Sequence, residues 1–265
     1  MKIWAIANQK GGVGKTTTAV NLAGQLVRQQ QRVLLVDMDP HGSMTAYFGQ
    51  DPDSLEKSVY NLFQVSTAEL KKTAEQILLP TKVSGLHLLP ASTAMATIDR
   101  QLGAQKGKGL IIKQCLETLT DRFDYVLIDC PPLLGILMVN ALAACEHLLL
   151  PVQTEFLALK GLERMMHTLG MILKSRKGQL DYTIVATMFD RRTKAALESL
   201  EMLRQLYRDY LANTVIPIDT QFREASKQGQ PLSTMQPKSK GAIAYAELLE
   251  ELHKNRQNHL RLVSS

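Results

Sequence analysis

The sequence predicts an α/β protein built on a doubly wound, mostly parallel β-sheet with helices on both faces. Short apolar runs recur along the chain, and longer segments with the periodicity of amphipathic helices lie between them. The runs are nearly continuous in apolar residues, which is typical of parallel strands buried on both faces. Several runs also end in polar residues, as expected at the ligand-binding edge of such a sheet.

The predicted strands and helices alternate through most of the chain. Strands are predicted over 2–8, 32–39, 86–92, 124–132, 146–153, 181–190 and 213–219. Helices are predicted over 15–30, 109–121, 135–145, 155–176, 194–211 and 240–257. Residues 51–85 are more polar and fit two short surface helices. We therefore expect one domain over 1–257, followed by a C-terminal tail over 258–265.

Composition excludes several classes of protein. A chain of 265 residues with 45% hydrophobic residues can bury one large core, and its net charge of +6 fits either a solvated surface or an anionic partner. Cys115, Cys130 and Cys145 are too far apart in sequence for a Cys-x-x-Cys metal or redox pair, so we expect buried thiols. No segment resembles a signal peptide or reaches the roughly 18 apolar residues of a membrane span. The predicted localisation is the cytoplasm.

The stretch NQKGGVGKTTT, residues 8–18, departs from the phosphate-loop pattern G-x-x-x-x-G-K-[ST] at its first position. Gln9 stands where the pattern has a glycine, and Lys10 follows it. The glycines let successive N–H groups point at a phosphate, and the helix that begins near Lys15 adds its positive dipole end. Lys15 can reach the outer phosphates, and the Thr16 hydroxyl can bind Mg²⁺. The predicted phosphate contacts of this P-loop NTPase site are Gly11, Gly12, Val13, Gly14, Lys15, Thr16 and Thr17.

Three aspartates follow apolar runs. Alternation along the second strand predicts that Asp37 and Asp39 point the same way at its end. Carboxylates beside a phosphate loop can bind magnesium-bound water or orient the attacking water. Asp129 follows four apolar residues and is interpreted as the aspartate that holds magnesium through water. No substrate base or acceptor pocket is apparent, so the expected phosphoryl acceptor is water.

These residues resemble the ParA/MinD family of deviant Walker ATPases, and within it the short, Soj-like ParA proteins. The loop KGGVGKTT over 10–17 matches the family loop, and LLVDMDPHGSMTAYFG resembles its D-x-D-P-Q-G-N segment, with His41 and Ser43 replacing the usual Gln and Asn. The other matching stretches are VLIDCPPLLGILMVNAL, LLLPVQTEFLALKGLERM, TMFDRRT and VIPID. The similarity extends from Met1 to about His253.

The resemblance implies a weak, Mg²⁺-dependent ATPase in which two subunits enclose two ATP molecules. Lys10, which would otherwise be interpreted as a solvent-facing loop lysine, would reach the phosphates bound by the partner. Asp39 would position the attacking water, and Thr16, Asp39 and Asp129 would belong to the magnesium site. Lys10, Lys15 and Asp39 are thus the predicted catalytic residues.

The resemblance also places the adenine end of the site. Met188 and Asp190, together with Pro217 and Asp219, would line it. The family usually has Asn at the position of Asp219, so this contact is a departure from the family pattern.

Short ParA proteins bind DNA non-specifically as ATP dimers, which implies a basic face in this chain. Arg192 matches a family arginine tied to DNA binding, whereas Gln221 replaces a second such arginine. The predicted DNA contacts are Arg191, Arg192, Lys194, Arg223 and Lys227, with Lys238 and Lys240 nearby in sequence.

The implied function is intracellular positioning of a cargo, with hydrolysis stimulated by a small partner protein that is ParB-like or a chemotaxis-array adaptor. Resemblance to the ParC-like branch favours polar chemotaxis arrays as the cargo, and implies a location at the nucleoid or a cell pole. Two alternatives stay open: a chromosome or plasmid partition ATPase, and a membrane-cycling regulator of the MinD type. The C-terminal residues lack a sustained basic amphipathic pattern, which argues against a membrane partner.

Overall fold

The computed structural model describes residues 1–102, 108–175 and 180–263, with side chains described in these ranges except at 99, 173–175 and 255–263. Within these residues, one sheet has the strand order β3-β4-β2-β5-β1-β6-β7. The strands are β1 (Lys2–Ile6), β2 (Val33–Asp37), β3 (Leu79–Pro80), β4 (Leu86–Leu89), β5 (Tyr125–Asp129), β6 (His147–Gln153) and β7 (Asp181–Thr187). All neighbouring pairs are parallel except β3 with β4.

The helices connect and cover these strands. They are α1 (Lys15–Arg28), α2 (Ser43–Tyr47), α3 (Val59–Leu62), α4 (Leu70–Ile77), α5 (Ile98–Leu102), α6 (Ile111–Glu117), α7 (Ile136–Ala144), α8 (Phe156–Ser175), α9 (Lys194–Tyr207), α10 (Gln221–Gln228), α11 (Leu232–Met235) and α12 (Lys240–Val263). Short 3-10 helices lie at Thr67–Glu69, Thr93–Thr97 and Lys108–Leu110. Among the residues described, no helix is both long enough and apolar enough to cross a membrane.

The central strands bury a core on each face of the sheet, as the doubly wound prediction requires. Alternation along β1 sends Trp4 and Ile6 to one face, where they join apolar side chains of α1 and α12. Ala5 points to the other face, where side chains from α6, α7 and α8 form the second cluster. The fold predicted from the sequence is therefore confirmed. The three cysteines are buried free thiols, also as predicted.

The segment 213–219, predicted as a strand, is not one. The backbone N–H groups of Asn213 and Thr214 donate to the carboxylate of Glu251, at 2.7 and 3.0 Å, and Pro217 has no N–H to donate. Isolated bridges, Ile184 with Leu211 and Phe189 with Pro217, and a bond from the Ile216 N–H to the Ala186 carbonyl at 2.8 Å join this part of the chain to the side of the sheet at β7. The first two N–H groups of the segment are therefore bound by a side chain of α12 instead of by a strand.

Several other boundaries also differ from the prediction. Residues 51–85 contain the short helices α3 and α4, as expected, but also the two-residue strand β3, whose antiparallel pairing with β4 makes the sheet mixed at one edge. The helix predicted over 194–211 ends at Tyr207, and the last helix continues to Val263 rather than ending near 257.

Parallel pairing brings the ends of β1, β2 and β5 together on one side of the sheet, at the carboxyl ends of the strands. Ile6 at the end of β1 and Asp37 at the end of β2 both pair with Asp129 at the end of β5. The loop that follows β1 and the two aspartates therefore meet at the carboxyl ends of the central strands, where such sheets bind their ligands.

Candidate nucleotide site

The loop between β1 and α1 is anchored by buried polar side chains. Asn8 donates from its side-chain amide to the Pro151 carbonyl at 2.8 Å, and its carbonyl oxygen accepts the N–H of Lys10 at 2.9 Å. On the other side of the loop, the Thr187 hydroxyl donates to the Val13 carbonyl at 2.9 Å. These bonds to β6 and β7 hold the loop in place before any ligand arrives.

Two glycines give the loop its shape. Gly12 and Gly14 have φ of 73° and 90°, in the left-handed region that side chains with a Cβ rarely adopt. Gly14 is the N-cap of α1, and no described side chain caps this helix. The free N–H groups of the first turn and the positive end of the helix dipole are thus available to an anion.

A cavity of about 500 Å³ lies over this loop. It is lined by Gly11, Gly12, Gly14, Lys15, Thr16, Thr17, Asp39, His41, Ser43, Pro132 and Met188. Lys15 is 8% exposed, and its Nζ lies 3.4 Å from the Lys10 carbonyl oxygen. A buried cation beside free N–H donors matches the charge of a bound phosphate chain.

Thr16, which lines the cavity, and Asp129, which is buried beside Thr16, are the residues that fit a magnesium ion. The Thr16 hydroxyl donates to Oδ2 of Asp129, while Oδ1 of Asp129 is buried and has no hydrogen-bond partner among the described residues. Burial, together with the nearby Asp37 carboxylate, raises the pKa of Asp129 well above 3.8. A hydroxyl and one carboxylate, completed by water and phosphate oxygens, are ligands that Mg²⁺ prefers. The chemistry this ion supplies when bound is neutralisation of phosphate charge.

Asp37 and Asp39, which strand alternation predicts to point the same way, have different surroundings. The strand ends at Asp37, whose side chain is fully buried and accepts the Thr45 hydroxyl at 2.7 Å and the Thr45 N–H at 2.8 Å. Burial raises the pKa of Asp37 to about 6. Asp39 lines the cavity instead, and its Oδ1 lies 2.9 Å from Nδ1 of His41. Asp37 therefore fixes helix α2 to the sheet, and Asp39 is the carboxylate that a ligand can reach.

Lys10 lies outside this cavity. It lines an adjacent groove of about 570 Å³, together with the exposed side chains of Leu133 and Leu157. Its ammonium group forms an ion pair with Glu155, at the start of α8. The ammonium group of Lys10 is thus held at the start of α8 and does not line the cavity over the phosphate loop.

The predicted adenine-end residues lie in two adjacent loops. The Phe189 N–H donates to the Ile216 carbonyl at 3.0 Å, which joins the loop of Met188 and Asp190 to that of Pro217. Met188 lines the cavity with φ of 52°, an uncommon conformation for a residue with a side chain. A hydrogen bond from the guanidinium of Arg192 lowers the pKa of Asp190 to about 2.

Asp219, the departure from the family pattern, bonds to the backbone on both sides. Its carboxylate oxygens accept the N–H groups of Gln221 and Gly241, each at 2.9 Å. Asp219 thus ties the loop to the starts of α10 and α12.

The basic residues predicted to bind DNA are all exposed. Arg192 pairs with Asp190 at 2.7 Å, and Lys194 pairs with Glu198 at 3.4 Å. Arg223 and Lys227 lie on the exposed face of α10. The Ile218 N–H donates to the Phe189 carbonyl at 3.2 Å, so the loop before α10 lies beside the loop that carries Arg191 and Arg192. The two basic groups, distant in sequence, are therefore on neighbouring segments.

Sequence reasoning missed three residues that shape the site: Asn8, Glu155 and Thr187. Asn8 had a detectable signal, because it is a polar residue directly between an apolar strand and the glycine loop. No sequence pattern indicated Thr187 or Glu155, because the residues that they contact, Val13 and Lys10, lie 174 and 145 positions away.

Comparison with known proteins agrees with this geometry. A family profile described as an AAA domain matches residues 1–182. The chain is 37% identical over 255 residues to the sporulation initiation inhibitor protein Soj of Bacillus subtilis, covering 96% of this chain and 99% of that protein. It is 35% identical over 254 residues to the chromosome partitioning protein ParA of Myxococcus xanthus, covering 96% and 88%.

A solved structure extends the likeness to three dimensions. Cobyrinic acid a,c-diamide synthase from Mycobacterium smegmatis, with bound ADP and magnesium, has a TM-score of 0.82 and 33% identity, covering 97% of this chain and 95% of that one. The chain therefore belongs to the ParA/MinD family of Walker-type ATPases, and it is a ParA-type positioning ATPase with ATP and Mg²⁺ as its cofactors.

Proposed function

We propose that ATP closes a homodimer of this chain and that hydrolysis, stimulated by a partner protein, reopens it. The observation that carries the proposal is the position of Lys10, which lines the groove beside the nucleotide cavity rather than the cavity itself. A lysine in this place can reach the phosphates of a second copy. Exposed apolar side chains around it, with Leu133 at 74% and Leu157 at 69% exposed, give the second copy a surface to bury.

A cation delivered in trans makes nucleotide state and assembly one coupled event. The charge of the outer phosphates stabilises the dimer, and the dimer supplies the cation that stabilises those phosphates. Within the closed dimer, Lys15 and the glycine loop hold the phosphates, and Asp39 orients the attacking water. Met188, Asp190, Pro217 and Asp219 are proposed to hold the base.

The dimer is proposed to bind DNA without sequence specificity, through Arg191, Arg192, Lys194, Arg223 and Lys227. A few phosphate contacts of this kind typically give a Kd of about 10⁻⁴ to 10⁻⁶ M. Linking two such faces can raise the avidity by a factor of about 10² or more, so dimerisation alone switches DNA binding on. The exposure of all five side chains supports this role.

The cargo we favour is a polar chemotaxis array, on resemblance to the ParC-like branch, with the protein concentrated at the nucleoid or a pole. Chromosome partition is the second candidate, favoured by the name of the Myxococcus relative. The stimulating partner would be an array adaptor in the first case and a ParB-like protein in the second. We further propose that residues 1–257 form the ATPase domain and 258–265 a tail.

The deciding experiment compares Lys10→Ala with the wild type by light scattering, in ATP and in ADP. The variant should still bind a fluorescent ATP analogue measurably, because Lys15 and the glycine loop remain, but it should stay a monomer. Lys71→Ala, an exposed lysine of α4 outside both cavities, is the matched control and should dimerise normally. A Lys10→Ala protein that still dimerises with ATP would refute the trans role.

A second experiment separates DNA from a membrane as the partner. Retention on non-specific DNA and co-sedimentation with anionic vesicles are each measured with ATP and with ADP. The proposal expects ATP-dependent retention on DNA that weakens steeply with salt, and no ATP-dependent vesicle binding. The reverse pattern would favour a membrane-cycling ATPase of the MinD type.

A further inference from the structure

We propose that Glu155 acts as a positioning residue that withholds Lys10 until nucleotide and a second copy are both present. The inference rests on the proposed function, because it concerns how the trans lysine is regulated. Its starting observation is the ion pair that joins the Lys10 ammonium to Glu155 within one chain. In that pair the lysine cannot also contact phosphates across a dimer.

The backbone on both sides of the pair is fixed. The Lys10 N–H is bound by Asn8, and the Glu155 carbonyl accepts the N–H groups of Ala158 and Leu159 at 3.1 and 3.3 Å. A side-chain rotation of Lys10 is therefore enough to release it, with no rearrangement of the loop.

The pair is suited to release because it is only partly buried. The Lys10 and Glu155 side chains are 29% and 41% exposed, so water screens their attraction. A triphosphate carries more charge than one carboxylate and offers several oxygens, so it competes well for the ammonium group. A diphosphate lacks the outermost group and competes less. The ion pair must therefore break before a dimer forms. A triphosphate offsets this cost better than a diphosphate does, so dimers formed with ATP are favoured over dimers formed with ADP or with no nucleotide.

Closure of a dimer releases two such pairs, which doubles the effect on its stability. An ion pair with this exposure typically changes an equilibrium by about 1.5- to fivefold, so two of them change the dimer dissociation constant by about two- to thirtyfold. Glu155→Gln, which keeps the shape of the side chain and removes its charge, should tighten the dimer by that factor.

The test uses Glu155→Gln and a matched control, Glu163→Gln. Glu163 lies on the same helix and pairs with Lys160 at 3.0 Å. Dimer dissociation constants are measured by analytical ultracentrifugation with a non-hydrolysable ATP analogue and with ADP. Glu155→Gln should tighten the ATP-analogue dimer about two- to thirtyfold and raise the dimer fraction in ADP, while Glu163→Gln should change neither. An unchanged or weaker dimer in Glu155→Gln would overturn the proposal.

A double variant separates this mechanism from simple charge repulsion between the two faces. If Glu155 acts through Lys10, then Glu155→Gln should give no gain in a Lys10→Ala background. A gain of similar size in that background would mean that the carboxylate repels the partner copy directly, and the proposal would fall.

A measurement on the nucleotide-free chain tests the ion pair without reference to dimers. Acetylation of Lys10, followed by mass spectrometry and normalised to Lys71, should be about two- to fivefold faster in Glu155→Gln than in the wild type. If this rate is unchanged, Glu155 does not hold the lysine and the inference is wrong. If the rate rises but the wild type never dimerises with ATP, the proposed function has failed while the ion pair stands.

Discussion

Strand β5 has an aspartate at each end, and the structure treats the two carboxylates in opposite ways. Asp124, just before the strand, accepts the N–H and guanidinium groups of Arg32 at 2.8 to 3.1 Å, which lowers its pKa to about 2. Asp129, at the other end, is buried with one oxygen unpartnered among the described residues, and burial raises its pKa. A carboxylate whose oxygens are all bound by the chain stabilises the fold, whereas a buried carboxylate oxygen without a partner is typical of a site that binds a ligand.

The same contrast separates two lysines that flank β1. Lys2, at the start of the strand, donates to the Tyr125 hydroxyl at 2.9 Å. Lys15, after the loop that follows the strand, is buried, and among the described residues its ammonium group has one hydrogen-bond contact, a long one to a backbone carbonyl oxygen. The charged groups at the amino ends of these strands are thus paired within the chain, and we expect nucleotide and metal to pair those at the carboxyl ends.

The largest expected effect is the loss of nucleotide binding in Lys15→Ala. Truncating one partner of a buried charge pair typically costs about 2–5 kcal/mol, so ATP affinity should fall by about 30-fold or more. The measurement is titration with a fluorescent ATP analogue, and Lys2→Ala is the control that should bind normally. Equal losses in both variants would break the comparison between the two ends of the sheet.

The next effect is expected from Asp129→Asn, which should change activity and stability in opposite directions. Losing the carboxylate should weaken the apparent Mg²⁺ affinity in ATP hydrolysis by about 10- to 100-fold. The metal-free protein should become more stable by about 1–3 kcal/mol, because the substitution removes a negative charge that is buried near the Asp37 carboxylate. Urea unfolding without nucleotide and magnesium-dependent phosphate release check the two halves. A variant that loses stability would mean that Asp129 is structural.

The parts of this molecule that the sequence predicted are those encoded in short stretches. The phosphate loop, the strand that precedes it and the helix that follows it are contiguous in residues 2–28, so their pattern reports their structure directly. Asp129 was predicted for the same reason, because the apolar run before it ends at the ligand-binding edge. The nearly continuous apolar strands identified the parallel sheet.

The parts that could not be predicted depend on contacts between distant residues. Glu251 accepts the backbone N–H groups of Asn213 and Thr214, in a segment whose local sequence favours a strand. The two-residue strand β3 is too short for any periodicity and exists only through its pairing with β4. The partner of Lys10 lies 145 residues away, and nothing near either residue indicates the other.

The smallest expected effect is a pH-dependent loss of stability in Asp124→Asn, with ATP hydrolysis unchanged. Because Arg32 holds the pKa of Asp124 near 2 rather than 3.8, the ion pair contributes stability that is present above about pH 4 and is lost as the pH falls towards 2. The side chain is 36% exposed, so screening limits this contribution to about 0.5–1 kcal/mol. Urea unfolding at several pH values should show the wild type more stable than the variant near pH 7, with the difference shrinking as the pH falls through 2 and vanishing only near pH 1. Asp121→Asn is the control, since Arg32 bonds only to the backbone carbonyl of Asp121, at 2.8 Å. A difference that persists undiminished at pH 1 would mean that Asp124 stabilises the fold through shape rather than charge, and the contrast between the two ends of β5 would no longer be one of paired and unpaired carboxylates.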